Sequence, residues 1–541
     1  MESGNSDFKT LSGIPLKKVY RPEDVAGLDY NRDLGDPGQA PFTRGPYPNG
    51  YRERLWRIFE LTGYGTPEDS RERILYALNH GETGFIMEVD QLTSYHMFDA
   101  DHPDVEARSH DVGLCGPPLQ SLQDYEMILE GIPIDETYCH PGGAIPQFSP
   151  FAHSCYFSVA QKRGISLSQL RGTGEGDFLL SYLSCPIKDQ ITPMGGMRVN
   201  CDLIEFCATQ VPKWVPVSIP GYNARESGIT AAQEVAIVLA NAIEYIEELL
   251  RRGRLNIDDF ASGIGGVNFS CGRDFFEDIC KMRAARRMWH KLLSERYGAK
   301  DPRSLRMRIH VVTAASNLTY QQPLNNIVRT TSYSLAAALA GVQSLGVSSY
   351  DEAISVPAPE AQLLAIRTQQ VLQFESNIPA VVDPLGGSYF VENLTSEVEQ
   401  RAWEYLGQIE KQGGFIKALD SGWLHREIMK AMTEWEMNVN RGDMKVVGVN
   451  CFRMEEEPHK IPAFRSNPKV WEISKERVQK LRRERDNVKT QAALDKLRQA
   501  CQGDENIIPS VMEAVQAYAT AGEVGNVFRE VFGVWKTPLP V

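Results

Sequence analysis

Much is missing from this chain, and each absence removes a class of function. Ten cysteines are scattered through it without one CxxC pair, which leaves no zinc knuckle and no thiol redox motif; they read as reduced thiols that mostly pack. No run of about 20 apolar residues could span a bilayer. The opening MESGNSDFKT lacks the basic start and apolar core of a secretory leader, so the chain reads as cytoplasmic, with no membrane partner. Positive charge is in deficit: 57 Lys and Arg against 70 Asp and Glu give a net charge of -13, and no basic stripe is available to neutralise a nucleic acid. There is no Walker loop, no HExxH and no GxSxG. The glycines of ASGIGGVNFSCG do not have GxGxxG spacing, and no histidine pair has metal-ligand spacing, so no metal site is expected.

What is present is the pattern of a large α/β enzyme. A 42% hydrophobic, 23% charged composition is that of a globular protein, and 541 residues suffice for one large barrel with extensions. Residues 1–46 are rich in Pro, Gly, Asp and Arg without apolar periodicity and read as an arm that needs a surface, here a subunit contact. Over 47–400, apolar runs (GFIMEVD, WVPVSIPGY, RMRIHVVTAAS, IPAVVD) alternate with amphipathic stretches such as ITAAQEVAIVLANAIEYIEELLRR. Repeated strand and helix at this length predicts a parallel sheet closed into a (β/α)8 TIM barrel, the substrate domain. Residues 401–541 predict a helical C-terminal extension, whose dense charge from SNPKVWEISKERVQKLRRERD onward reads as a solvated face.

Seven collinear segments go further: YPNGYRERLWRIFELTGYGTPEDS, FDADHPDV, PKWVPVSIPGYNARESGITAAQE, KMRAARRMWHKLLSERYGAKDPRSLRMRIH, LNNIVRTTSYSLAAALAGVQSLGVSSYDEAI, VVDPLGGSYFVE and VVGVNCFR. In these the chain resembles the adenosylcobalamin-dependent acyl-CoA mutases typified by methylmalonyl-CoA mutase. The resemblance implies a barrel threaded by coenzyme A and capped by cobalamin, with radical chemistry in a closed cavity. The Asp-x-His-x-x-Gly motif that supplies the cobalt ligand in this family is absent. The resemblance therefore implies a large subunit served by a small cobalamin-binding subunit, in an α2β2 hetero-oligomer.

It also implies roles for residues. Tyr222 lies against substrate and cofactor, and Asn223 stands where the family has a histidine on the thioester carbonyl; an amide can still donate there. Tyr47 and Arg54 match coenzyme A contacts, while Glu226, Gln343 and Glu352 match positions facing the adenosyl group. The departures concern the acyl end. Cys185 replaces an arginine on the substrate carboxylate, Leu61 replaces a tyrosine, and Gly266 and Ser316 fall where bulky aromatics stood. Volume removed and a carboxylate clamp lost predict a bulkier, non-methylmalonyl acyl-CoA, aryl-substituted malonyl, branched or hydroxylated. Glu88 would accept a hydrogen bond from a substrate hydroxyl or amine. Two other readings stay open: a non-catalytic scaffold subunit of such a mutase, and a coenzyme A-dependent barrel lyase.

Overall fold

The computed structural model describes residues 8–456 and 459–538. Nine parallel strands form its centre: β1 Arg57–Thr62, β2 Gly84–Met87, β3 Tyr138–His140, β4 Gly172–Thr173, β5 Trp214–Val215, β6 Ile219–Pro220, β7 Gly266–Cys271, β8 Arg308–Thr313 and β9 Ser344–Gly346. Their spatial order is β5-β4-β3-β2-β1-β9-β8-β7-β6. The two ends of that order are neighbours in sequence. Pro216 has no N–H to give a ladder, so one strand position is split into β5 and β6. Around the break, Gly174 donates to the Val215 carbonyl at 2.8 Å and Ser218 to the Gly174 carbonyl at 2.7 Å. Counting β5 and β6 as one position, the sheet curls into the eight-position ring of a TIM-like barrel.

Each strand alternates between lumen and helices. In β8, Ile309, Val311 and Thr313 are buried while Arg308, His310 and Val312 are half-buried along the lumen. Helices coat the outside, the longest of those between strands being Ala231–Arg252. Thr230 and Gln233 cap its start reciprocally, and Gly253 ends it at φ 68°, a left-handed turn that glycine adopts without strain.

The stretch IPAVVD is not a strand. Pro379 lies within it and Pro384 follows it, Asn377 and Asp383 take positive φ, and Ile378–Ala380 is a single tight turn; Val381 is exposed at the barrel's lower rim. The N-terminal segment lies on the barrel's own helices: Leu11 donates its N–H to Asp274 at 2.9 Å, Arg401 donates to the Ser12 carbonyl at 2.7 Å, and Ile14 is buried. The charged C-terminal run is not merely solvated. Its arginines fasten helix Val470–Glu484 and the residues after it to neighbouring acids, Arg477 to Glu68, Arg482 to Asp99 and Asp101, and Arg485 to Glu523. Among the described residues, no helix is long and apolar enough to cross a membrane.

Candidate active site

Because all strands run the same way, the barrel has two chemically distinct ends. The N-terminal ends open into a cavity of about 580 Å³ lined by Tyr47, Arg54, Arg57, Arg171, Lys213 and Arg308. Arg57 lies over the Tyr138 ring, 4.3 Å from its centroid. Burial lowers its pKa, and the like charges of Arg54 and Arg308 add to this against Tyr138. Among the described residues, Arg54, Arg171 and Lys213 have no carboxylate partner. Uncompensated like charges around a cavity are costly unless a polyanion joins them.

Above this entrance the lumen is aromatic. The Phe59 ring meets Tyr138 at 5.3 Å and His310 at 5.5 Å. His140 follows on β3, buried.

At the C-terminal ends the charge reverses. Glu88 leaves β2 half-buried; the Tyr95 hydroxyl donates to it at 3.4 Å, and burial pushes its pKa up to about 8. Glu175, two residues beyond β4, takes a hydrogen bond from Asn268 at 2.9 Å and is raised to about 7, again by burial. Glu226 accepts from Ser270 Oγ at 2.9 Å and from the Ser316 N–H at 2.7 Å. Glu352 is exposed within the recess; the protein around it still pushes its pKa up, and Glu226 adds to that. Leu61 faces the lumen 53% exposed, and Gln91 donates to Cys185 Sγ at 3.3 Å. Tyr222 and Asn223 start the short helix Gly221–Glu226 directly after β6, both half-buried.

Beneath this rim lies a buried ion cluster. Lys281, wholly enclosed, donates to Glu234 at 2.7 Å, to Asp278 at 3.1 Å and to the Ser270 carbonyl, while Glu234 accepts the Ser270 N–H at 2.9 Å. Burial opposes the Lys281 charge, but Asp278 and Glu234 outweigh it and raise its pKa. The cluster fixes Ser270 by both sides of its backbone, and Ser270 in turn orients Glu226.

The sequence matches the methylmalonyl-CoA mutase family over residues 9–534. The chain belongs to the methylmalonyl-CoA mutase family. It is 36% identical to the 2-hydroxyisobutanoyl-CoA mutase large subunit of Aquincola tertiaricarbonis, over 98% of this chain and 93% of that protein. It is also 36% identical to the methylmalonyl-CoA mutase of Cereibacter sphaeroides, over 97% of this chain and 72% of that protein. The human mitochondrial methylmalonyl-CoA mutase is 33% identical, over 98% and 69%. Like its family, this mutase is an adenosylcobalamin-dependent isomerase of acyl-CoA thioesters.

In this mutase, Tyr47 and Arg54 fall at the basic end, and Leu61, Glu88, Cys185, Tyr222, Asn223, Glu226, Ser316 and Glu352 gather at the acidic end. Two expected positions are corrected. Gln343 precedes β9 rather than following a strand, lines the basic cavity, and has its amide spent on the Ile309 N–H and the Gly341 carbonyl, both at 2.8 Å; it does not join Glu226 and Glu352. Gly266 opens β7 beside Arg308, about 16 Å of strand below Cys271 at the usual rise per residue, so it borders the channel rather than the acyl chamber. Sequence reasoning missed Glu175 and His140. Their signal was alternation along GTGE and YCH, the first glycine-rich and both too short to read as strands.

Proposed function

We propose that this chain is the large subunit of a mutase that rearranges the carbon skeleton of a hydroxylated, non-malonyl acyl-CoA. The coenzyme A chain enters at the basic end, its phosphates among Arg54, Arg171 and Lys213, and the acyl group lies beneath the acidic end. The observation that carries this reading is the pairing of Glu88 and Glu175 in a chamber where Cys185 replaces the arginine of the methylmalonyl enzymes. A carboxylate on the acyl group would meet two acids where the methylmalonyl enzymes offer an arginine. A hydroxyl can donate to the ionised acid and accept from the protonated one. The name of the Aquincola relative supports the same substrate class.

Adenosylcobalamin, when bound, supplies a carbon-centred radical by homolysis of its cobalt–carbon bond. Tyr222, Glu226 and Glu352, open at the mouth, fit the hydroxyl-rich adenosyl group. The sequence has no Asp-x-His-x-x-Gly motif, which supports cobalt ligation by a small cobalamin-binding subunit in an α2β2 assembly. The chain's own residues hold the acyl end, orient the thioester and keep water from the lumen. A cytoplasmic location fits this reading.

The test is reconstitution with adenosylcobalamin and the small subunit, comparing 2-hydroxyisobutanoyl-CoA with methylmalonyl-CoA. We expect kcat/KM to favour the hydroxylated substrate by about 100-fold, and Glu88→Ala to lose about 3- to 10-fold of that, the worth of one buried hydrogen bond to a neutral acid. Preference for methylmalonyl-CoA would overturn the reading.

A further inference from the structure

The family places a histidine on the substrate thioester after the fifth strand position, and this chain has Asn223 there. Another imidazole stands inside the barrel. In β3, Cys139 packs outward into the core, so Tyr138 and His140 face the lumen, and both line the cavity. Register fixes the height of His140: it pairs with Ile86, and Ile86 pairs with Leu61. His140 is thus level with Leu61 and two residues below Glu88, at the boundary between the coenzyme A half of the lumen and the acyl chamber. That boundary is where a thioester joins the two parts of its ligand.

The proton on this ring can be assigned. The Gly142 N–H points at His140 Nδ1 at 3.2 Å, and an amide N–H can only donate, so Nδ1 carries a lone pair. Burial, then His153 and His310, hold the pKa down to about 3, and the neutral ring must carry its hydrogen on Nε2. Nε2 is buried and has no partner among the described residues. A donor left unmade inside a barrel is costly, and here it borders the cavity a ligand fills.

The neighbouring histidines do not qualify. His153 donates Nδ1–H to the Ser149 carbonyl at 2.7 Å, which leaves Nε2 an acceptor. His310 faces the Ser344 hydroxyl at 2.9 Å, a group that donates or accepts equally, and its ring sits lower, against Phe59. Only the His140 tautomer is dictated by a backbone amide.

We propose, resting on the acyl-CoA reading above, that His140 binds the substrate's thioester carbonyl through Nε2–H, taking over from β3 the task that Asn223 cannot perform as an imidazole. The donor is neutral and preorganised, so it can stabilise charge on the carbonyl oxygen without transferring a proton.

The experiment uses the full chain with butanoyl-CoA carrying a ¹³C thioester carbonyl, and with the S-butyl-CoA thioether, which lacks that carbonyl. Infrared difference spectra should show the bound ¹³C=O stretch below its value in water-free solvent, constant from pH 5 to 9. The downshift should vanish in His140→Phe, persist in Asn223→Ala and be partly restored in His140→Gln. Calorimetry should find the thioester bound about tenfold tighter than the thioether. His140→Phe should erase that preference while thioether affinity stays within about twofold, which also shows that the channel remains folded. A downshift that survives His140→Phe, or is lost in Asn223→Ala instead, overturns the assignment. If neither ligand binds the parent chain, the acyl-CoA channel itself is refuted, an outcome separate from a failed His140 assignment with thioether binding intact.

Discussion

Lys281→Met removes the cation that is hydrogen-bonded into the cluster under the active-site rim. The parent ammonium is wholly buried, with Glu234 at 2.7 Å and Asp278 at 3.1 Å, and their side chains are 0% and 2% exposed. Methionine fills a similar volume, so the change is electrostatic rather than steric. Two carboxylates then remain out of water with only the more distant Arg225 guanidinium to offset them, and the Ser270 carbonyl loses its donor. Breaking a buried pair by removing one partner costs about 3–5 kcal/mol. Glu234→Gln on that background should recover at least about 1 kcal/mol, because it discharges one orphaned acid while its amide oxygen can still accept the Ser270 N–H. Urea unfolding followed by tryptophan fluorescence reads both numbers, as midpoint shifts at unchanged slope. Activity should fall beyond what stability explains, since Ser270 positions Glu226. A single-variant cost below about 1 kcal/mol, or a double variant that merely sums the two single losses, would refute the claim that the cluster works as a charge-balanced unit.

Gly266→Phe should weaken every acyl-CoA at least about tenfold whatever its acyl size, because even a Cβ there would meet Val215 Cγ1 at 2.9 Å inside the channel. Ser316→Trp, at the mouth, should instead penalise bulky acyl groups selectively; calorimetry with short and branched acyl-CoAs separates the two. Stability should decline as pH rises from about 6.5 to 8.5. Glu60 and Glu88, raised to about 8, and Glu175, raised to about 7, hold protons in the fold that the unfolded chain releases near its ordinary pKa of 4.5. Below pH 6.5 the buried His140, His153 and His310, lowered to about 3 to 4, act in the opposite sense and offset these glutamates, so thermal melts should fall most steeply above pH 6.5. Glu88→Gln should flatten the alkaline limb.

The barrel was legible because its buried strands are apolar runs bounded by helices, and RIHVVT announced itself by composition. Composition does not say which end of a strand a residue occupies. Gly266 and Gln343 were placed at the wrong end for that reason: a lumen residue at a strand's start and one at its finish have the same neighbours in sequence but lie across the barrel. IPAVVD imitated a strand because it is apolar, and Pro379 within it and Pro384 after it were the contrary signal. The rim residues Tyr222, Glu226 and Glu352 entered through the family resemblance; what their own sequence offered was a polar turn after an apolar run at SIPGYNARESG, and the fold sets all three beyond strand ends. The ionic docking of the C-terminal run needed acids about 380 to 410 residues distant, which no local pattern reveals.

The opposed charges of the two barrel ends amount to a one-way polarity along its axis. A polyanionic ligand is drawn toward the basic strand starts and finds only acids at the strand finishes, so substrate and product would pass through the floor and leave the roof to the cofactor. Turnover would then need no separation of subunits between cycles, and a reactive radical could stay sealed overhead while spent thioester leaves below.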